Sequence, residues 1–339
     1  MKHYHFKKLT LSAILLGLSQ VSFAACDQTL SPGANVASAV SSAAAGSTIC
    51  LNSGSYGGVD LFNIARSGYV TVRSASGKGA TIAPQVGKTN YVRFESLTIS
   101  GDILQNSCST HVQWVNNDFA GRGLTLTNSG CGNLDTLIDG NSFTGFNVGG
   151  GYEGRLSLVY GSGITITNNF FGNGGASDGI QLIGGVSNVN IGPGNTFSGI
   201  LQSLCGSVHC DAIQLYGAGS GIVLNGNYFT NGDTFIMAPD GSDNVTVTNN
   251  VFNGNSSSYA FKIQFGSANN ARFEHNTLMS TSAAFDSKTG ESASTNVSAK
   301  NNILASGSGY KTSGGSGGSG CTVSPNLTST PTFVGGANP

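Results

Sequence analysis

The sequence predicts an all-β chain, wound as a single right-handed parallel β-helix of about nine to ten coils with a short N-terminal capping helix. Three observations lead there. Only 9% of the 339 residues are charged, while 51 are Gly and 33 are Asn; an ordinary soluble domain carries roughly a quarter charged residues. The triplet Asn-x-Phe/Leu recurs at Asn117, Asn141, Asn169, Asn195, Asn227, Asn250, Asn276 and Asn302, at intervals of 24, 28, 26, 32, 23, 26 and 26 residues. Alternating apolar runs, such as Ile164-Thr-Ile-Thr and Val245-Thr-Val-Thr, precede most triplets, and period two means strands with one buried face. No single repeat can bury that face alone, whereas stacked coils place Phe on Phe and Asn on Asn. Leucine-rich repeats have a similar period but need a consensus that is absent, and propeller blades are longer.

Taken in order, residues 1–24 read as a secretory leader. Lys2, Lys7 and Lys8 precede an apolar run from Leu9 to about Leu18, and Ser22-Phe23-Ala24 supplies small residues at the cleavage positions. The run is too short for a membrane span. A lipid anchor on Cys26 is disfavoured because Phe23 stands where a lipobox places Leu. Residues 25–50 form the N-terminal cap, with a small-residue helix expected from Ser31-Pro32 to about Ala45. Residues 51–305 form the solenoid; Val70-Thr-Val, Ala80-Thr-Ile and Tyr91-Val-Arg-Phe extend the strand pattern ahead of the first Asn. Residues 306–339 are a Gly/Ser-rich tail, expected to return loosely along the solenoid.

Composition excludes several classes. With 15 Lys+Arg against 16 Asp+Glu there is no basic patch for nucleic acid. A chain that is 38% hydrophobic with 18 Phe is not disordered. Abundant Gly, Asn, Thr, Ser and Val argue against a helical bundle. All seven Cys lie after the leader, where disulfides form. The expected pairs are Cys26 with Cys50, Cys108 with Cys131 and Cys205 with Cys210, leaving Cys321. No C-x-x-C is followed by a second pair, which excludes a zinc site of that type.

The order Thr29-Leu-Ser-Pro-Gly, short helix, Gly46-Ser-Thr-Ile-Cys-Leu-x-x-Gly-x-Tyr56, Val70-Thr-Val-Arg and Asn-x-Phe coils resembles the pectate-lyase-like superfamily of secreted β-helix proteins. The resemblance covers nearly the whole exported chain and implies the fold. It spans polysaccharide lyases, polygalacturonases, uronan epimerases and non-catalytic adhesins, so it does not choose among reactions.

Chemistry is sought where polar side chains repeat at one coil position. Asp178-Gly-Ile-Gln-Leu, Asp211-Ala-Ile-Gln-Leu and Asp233-Thr-Phe-Ile-Met align without gaps, and Glu153 falls one coil earlier. Such a column would stack carboxylates at about 4.8 Å, raising a pKa or holding a cation. Asp178, Asp211 and Asp233 are accordingly the candidate Ca2+ ligands; turn-capping carboxylates are the plain alternative. His209 lies two residues before Asp211 in the longest coil, on a surplus loop closed by Cys205 and Cys210. Lys262 is the sole Lys or Arg between Arg155 and Arg272, and the same alignment puts it in the column of Gln181, Gln214 and Ile236. The catalytic candidates are therefore His209, Asp211, Asp233 and Lys262, with Gln181, Gln214, Tyr216 and Tyr259 as substrate-binding candidates. His111 and His275 read as structural.

The reading adopted is a secreted, monomeric polysaccharide lyase acting on an extracellular uronic-acid glycan, with no nucleic-acid partner and no membrane association after leader removal. β-Elimination needs a base and neutralisation of the substrate carboxylate, roles open to His209, Lys262 and Ca2+. Polygalacturonase-like hydrolysis is the first alternative, since Asp211 and Asp233 resemble its one-coil-apart acids, although its other motifs have no counterpart here. The element His209-Cys-Asp211 also resembles part of the D-P-H-D motif of uronan epimerases. A non-catalytic glycan binder or adhesin is the remaining reading.

Overall fold

A computed structural model describes residues 25–148, 153–206, 209–238, 243–254, 262–266, 268–285, 294–305, 308–311, 322 and 325–328. The expected leader, Tyr259 and Cys321 lie outside them. No helix among them is long and apolar enough to cross a membrane.

Parallel pairing of each strand with its counterpart one coil later builds a 12-stranded and a 20-stranded sheet, a parallel β-solenoid of about ten turns. The capping helix is shorter than expected, Val36–Ser42. Asn35 caps it by accepting the Ser38 N–H at 2.9 Å, and Val36 and Val40 are buried against the first coil.

The repeated triplets explain the stacking. Phe119, Phe143, Phe171, Phe197, Phe229 and Phe252 are buried and stack ring on ring at 4.4–5.0 Å. Each triplet Asn is also buried, and its carboxamide serves two coils. Asn195 Oδ1 accepts from the Asn169 backbone N–H (2.9 Å) and Nδ2 (3.0 Å), while Asn195 Nδ2 donates to Ile166 O (2.8 Å) and Asn227 Oδ1 (2.9 Å). The ladder starts where Leu97 N–H donates to Asn117 Oδ1. It also runs further than the triplets suggest, because Asn302 N–H and Nδ2 donate to Asn326 Oδ1 and Ile303 bridges to Leu327. Part of the segment read as a returning tail thus adds to the stack.

The three expected disulfides are present, with Cα separations of 5.6, 5.3 and 5.9 Å for Cys26–Cys50, Cys108–Cys131 and Cys205–Cys210. The first two link neighbouring coils.

A second column lies outside the core, where the chain enters the strands of the 12-stranded sheet through a left-handed residue. Register places Tyr91, His111, Asp135, Gly163, Asn188, Gly221, Asn244, Asn270 and Asn296 on successive coils, all with φ between 48° and 75°. Gly and Asn tolerate this conformation, and Asn244, Asn270 and Asn296 build an outer amide ladder there. For other residues it costs roughly 1–2 kcal/mol. The stacking of Tyr91 on His111, at 4.2 Å, returns about 0.5–1.5 kcal/mol, less than two strained residues cost.

Replacement of Asn195 by Ala would leave the Asn169 N–H and Asn227 Oδ1 unpaired inside the stack, while the Ile166 carbonyl keeps the Gly192 N–H. At about 1–3 kcal/mol per orphaned buried group, denaturant unfolding should show a loss of at least 2 kcal/mol on that same scale. Replacing the exposed strand residue Asn190, which is not at a left-handed position, by Ala should leave stability within about 0.5 kcal/mol of wild type. Equal stability of the two variants would refute a structural role for the ladder.

Candidate active site

Five strands of the 20-stranded sheet carry the candidate residues: Gly154–Val159, Asp178–Ile183, Asp211–Tyr216, Thr234–Ala238 and Ile263–Phe265. Register pairs Ile180 with Ile213 and Gln181 with Gln214, which brings Asp178 beside Asp211 as expected. The next coil departs from expectation. Asp211 pairs with Thr234, and Ile213 with Ile236, so Asp233 lies one residue outside the column. The cause is local: Phe235 and Ile236 both donate their N–H to the Lys262 carbonyl, at 2.6 and 3.1 Å, and both are buried apolar residues. The strict alternation assumed in aligning Phe235 with Ile213 is broken there.

Asp233 serves the loop instead, its Oδ2 accepting the Gln202 N–H at 2.8 Å. Lys262 shifts with the register and stands opposite Phe235, not in the glutamine column. It is buried, its Nζ donates to the Gly232 carbonyl at 2.7 Å, and it lies 5.4 Å from the Phe235 ring centroid. Burial lowers its pKa, an effect the charge of Asp233 opposes.

Asp178 and Asp211 are 0% and 1% exposed. Asp178 Oδ1 accepts the Asp211 N–H at 2.7 Å, which ties one coil to the next. Its Oδ2 and both oxygens of Asp211 have no hydrogen-bond partner; Thr234 neighbours Asp211 without reaching hydrogen-bonding geometry. Two carboxyls desolvated side by side cannot both ionise cheaply. Burial, reinforced by the charge of Asp211, drives Asp178 well above the carboxylate range. Burial pushes Asp211 up to about 7, opposed by Thr234 and assisted by Glu153.

Around this pair, Gln181 Nε2 donates to Gln214 Oε1 at 2.5 Å, and Gln181 Oε1 accepts the Glu153 N–H at 2.9 Å. Register extends the row through Met237 to Gln264. Arg155, given no role by the sequence, is fully buried and donates to the carbonyls of Ser177 and Asp178 at 2.7 and 3.1 Å. Burial lowers its pKa to about 10 although Asp178 opposes the shift. As a lone Arg between Gly154 and Leu156, it gave no repeating signal.

His209 is exposed, and Tyr216 is 57% exposed on the strand end beside Ile183. His209 and Asp211 are therefore close in sequence but do not form a hydrogen-bonded dyad. A concavity of about 480 Å³ is lined by Asn35 of the N-terminal cap and by Tyr56 and Asp60 of the strand Gly54–Phe62, and by none of these residues.

The expected Ca2+ set does not assemble from these side chains. Among the described residues no three His, Cys, Asp or Glu groups converge, because Asp233 is displaced and engaged elsewhere.

No protein-family model matches the sequence, and no curated protein matches it. Among solved structures, the PL6 family alginate lyase AlyGC is 14% identical, with a TM-score of 0.50 over 89% of this chain and 52% of its own. The likeness is one of fold, the parallel β-solenoid. The GH136 lacto-N-biosidase from Eubacterium ramulus, 10% identical over 86% of this chain and 63% of its own, gives a TM-score of 0.51. The chain thus spans about half the length of the alginate lyase.

A carboxyl whose folded pKa exceeds its unfolded value binds its proton more tightly in the folded state. Its contribution to stability is therefore greatest at low pH, declines as pH rises from about 4 to about 7, and is constant above. Melting temperature should fall across that window in wild type, and Asp211→Asn should flatten the decline. An unchanged pH profile in the variant would show that Asp211 titrates normally.

Proposed function

We propose that the chain is a secreted polysaccharide lyase that cleaves a uronic-acid-containing glycan by β-elimination, with the stacked Asp178–Asp211 corner as its reaction centre. The observation that carries this reading is a carboxyl with unpartnered oxygens and a pKa held near 7, on a rigid sheet beside a row of glutamine amides. The fold it shares with an alginate lyase supports it, as do three disulfides, which suit an oxidising extracellular or periplasmic setting.

In such a reaction a base removes the proton on C5, next to the uronate carboxylate. The C5–H electron pair forms the C4–C5 double bond while the bond from C4 to the glycosidic oxygen breaks. A proton then converts that oxygen to a hydroxyl. Asp211, ionised above about pH 7, is the assigned base; because it is 1% exposed, this role requires substrate binding to part the side chains that cover it. Asp178, more strongly protonated beside it, keeps a second negative charge out of the corner. The Gln214 amide, half-buried at the sheet surface, supplies a donor for the substrate carboxylate. His209, exposed two residues before Asp211, lies on the approach of the polymer. Lys262 and Arg155 are committed to backbone carbonyls and hold the corner's shape.

Incubation with polyuronates and neutral glycans, with and without chelator, tests the reading through absorbance of unsaturated ends and release of reducing ends. Unsaturated ends from a polyuronate are expected, at a rate that rises with pH through about 7. Asp211→Asn should lower kcat by about 10²–10⁴. Reducing ends without unsaturation would replace elimination by hydrolysis between the two carboxyls, an inverted sugar without cleavage would make the chain an epimerase, and no product would leave a glycan binder. Loss of activity with chelator would assign Ca2+ a role in the reaction.

A further inference from the structure

The outer left-handed column changes character at its N-terminal end. From Gly163 to Asn296 it holds only Gly and Asn, which suit a positive φ; its first three members are Tyr91, His111 and Asp135, at φ 55°, 53° and 48°. Bulky side chains in this conformation are strained, and strain retained in a repeat that offers a relaxed alternative marks a position kept for its side chain.

Those side chains form one continuous surface. Tyr69 meets Tyr91 edge-on at 5.4 Å, Tyr91 stacks on His111 at 4.2 Å, and His111 Nε2 lies 3.2 Å from Asp135 Oδ2. The three rings are half-exposed and Asp135 is exposed. Two residues along the strands, Arg93 donates to Glu95 Oε2 at 2.9 Å and to Gln113 Oε1 at 3.0 Å, and Gln113 also approaches the Tyr69 hydroxyl. The surface therefore combines an aromatic ridge with planar polar groups at the strand spacing of about 4.8 Å, close to the advance of one pyranose unit in an extended glycan. Each cationic group faces an acid, Arg93 with Glu95 and His111 with Asp135, so little net charge is presented.

We propose that Tyr69, Tyr91 and His111, with Arg93, Gln113 and Asp135, form a second glycan-binding site on the 12-stranded sheet. It takes a pyranose chain through ring packing and hydroxyl hydrogen bonds, not through charge. The site lies on a different sheet from Asp178 and Asp211 and does not depend on the reaction assigned to them.

The test uses the whole exported chain carrying Asp211→Asn, so that turnover cannot consume the probe. Affinities for a neutral β-1,4-linked hexose oligosaccharide and an oligouronate of equal length are measured by calorimetry at low and high salt. Both should bind, with affinity little changed by salt. Tyr91→Asn and His111→Asn, which install the residue later coils use, should weaken binding at least ~10-fold, as expected when a ring contact and its hydrogen-bonding neighbours are lost, while the melting temperature rises or holds. Tyr69→Ala, outside the strained positions, should also weaken binding. Undetectable binding of the neutral probe, wild-type affinity in all three variants, or binding abolished by salt would each overturn the proposal. A lyase assay that fails would leave these affinities unaffected, so the two readings fall separately.

Discussion

The structure depends on the carboxamide of the triplet asparagine. Each one accepts from the coil before it and donates to a carbonyl and to the coil after it, so buried turns that would otherwise orphan backbone groups are satisfied by the repeat itself. This constraint explains the scarcity of charge. A solenoid whose corners are closed by neutral amides and whose core is a stack of rings has little use for ion pairs, and the few charged residues within the coils stand out against that background.

At one corner two successive coils carry acids where the coils on either side carry Gly154 and Thr234. Asp178 and Asp211 occupy neighbouring coils with almost no solvent contact, and three of their four oxygens lack partners. The triplet asparagines find their partners in the adjacent coil; here an acid finds another acid. The resulting proton affinity is a consequence of burial and proximity, and it turns a structural position into a chemically distinct one. Arg155 offsets the pair only in part: its charge favours ionised Asp178, but burial outweighs it and its guanidinium hydrogen bonds go to carbonyl oxygens.

The aromatic column follows the same logic on the outer surface. From Gly163 onward only Asn and Gly fill the left-handed positions of this column. Tyr91 and His111 fill them where the side chain itself is kept despite the conformational cost. Both departures are visible only because the remaining coils supply an internal reference for what the fold requires.

The sequence by itself determined the repeat, the parallel β-helix, the triplet Asn and Phe stacks, the three disulfides and the pairing of Asp178 with Asp211 through Gln181 and Gln214. These follow from period and residue type, because stacking coils turns sequence intervals directly into contacts. Only the tertiary structure decided the register after Asp211. A one-residue slip, set by Phe235 and Ile236 both turning to the core and sharing the Lys262 carbonyl, exchanged Asp233 for Thr234 and moved Lys262 out of the glutamine column. Alternation cannot report such a break, since either register places an apolar residue inside. Nor could it reveal that Tyr91 and His111 share a left-handed corner with distant asparagines, because backbone conformation at a turn is set by the coils packed on either side.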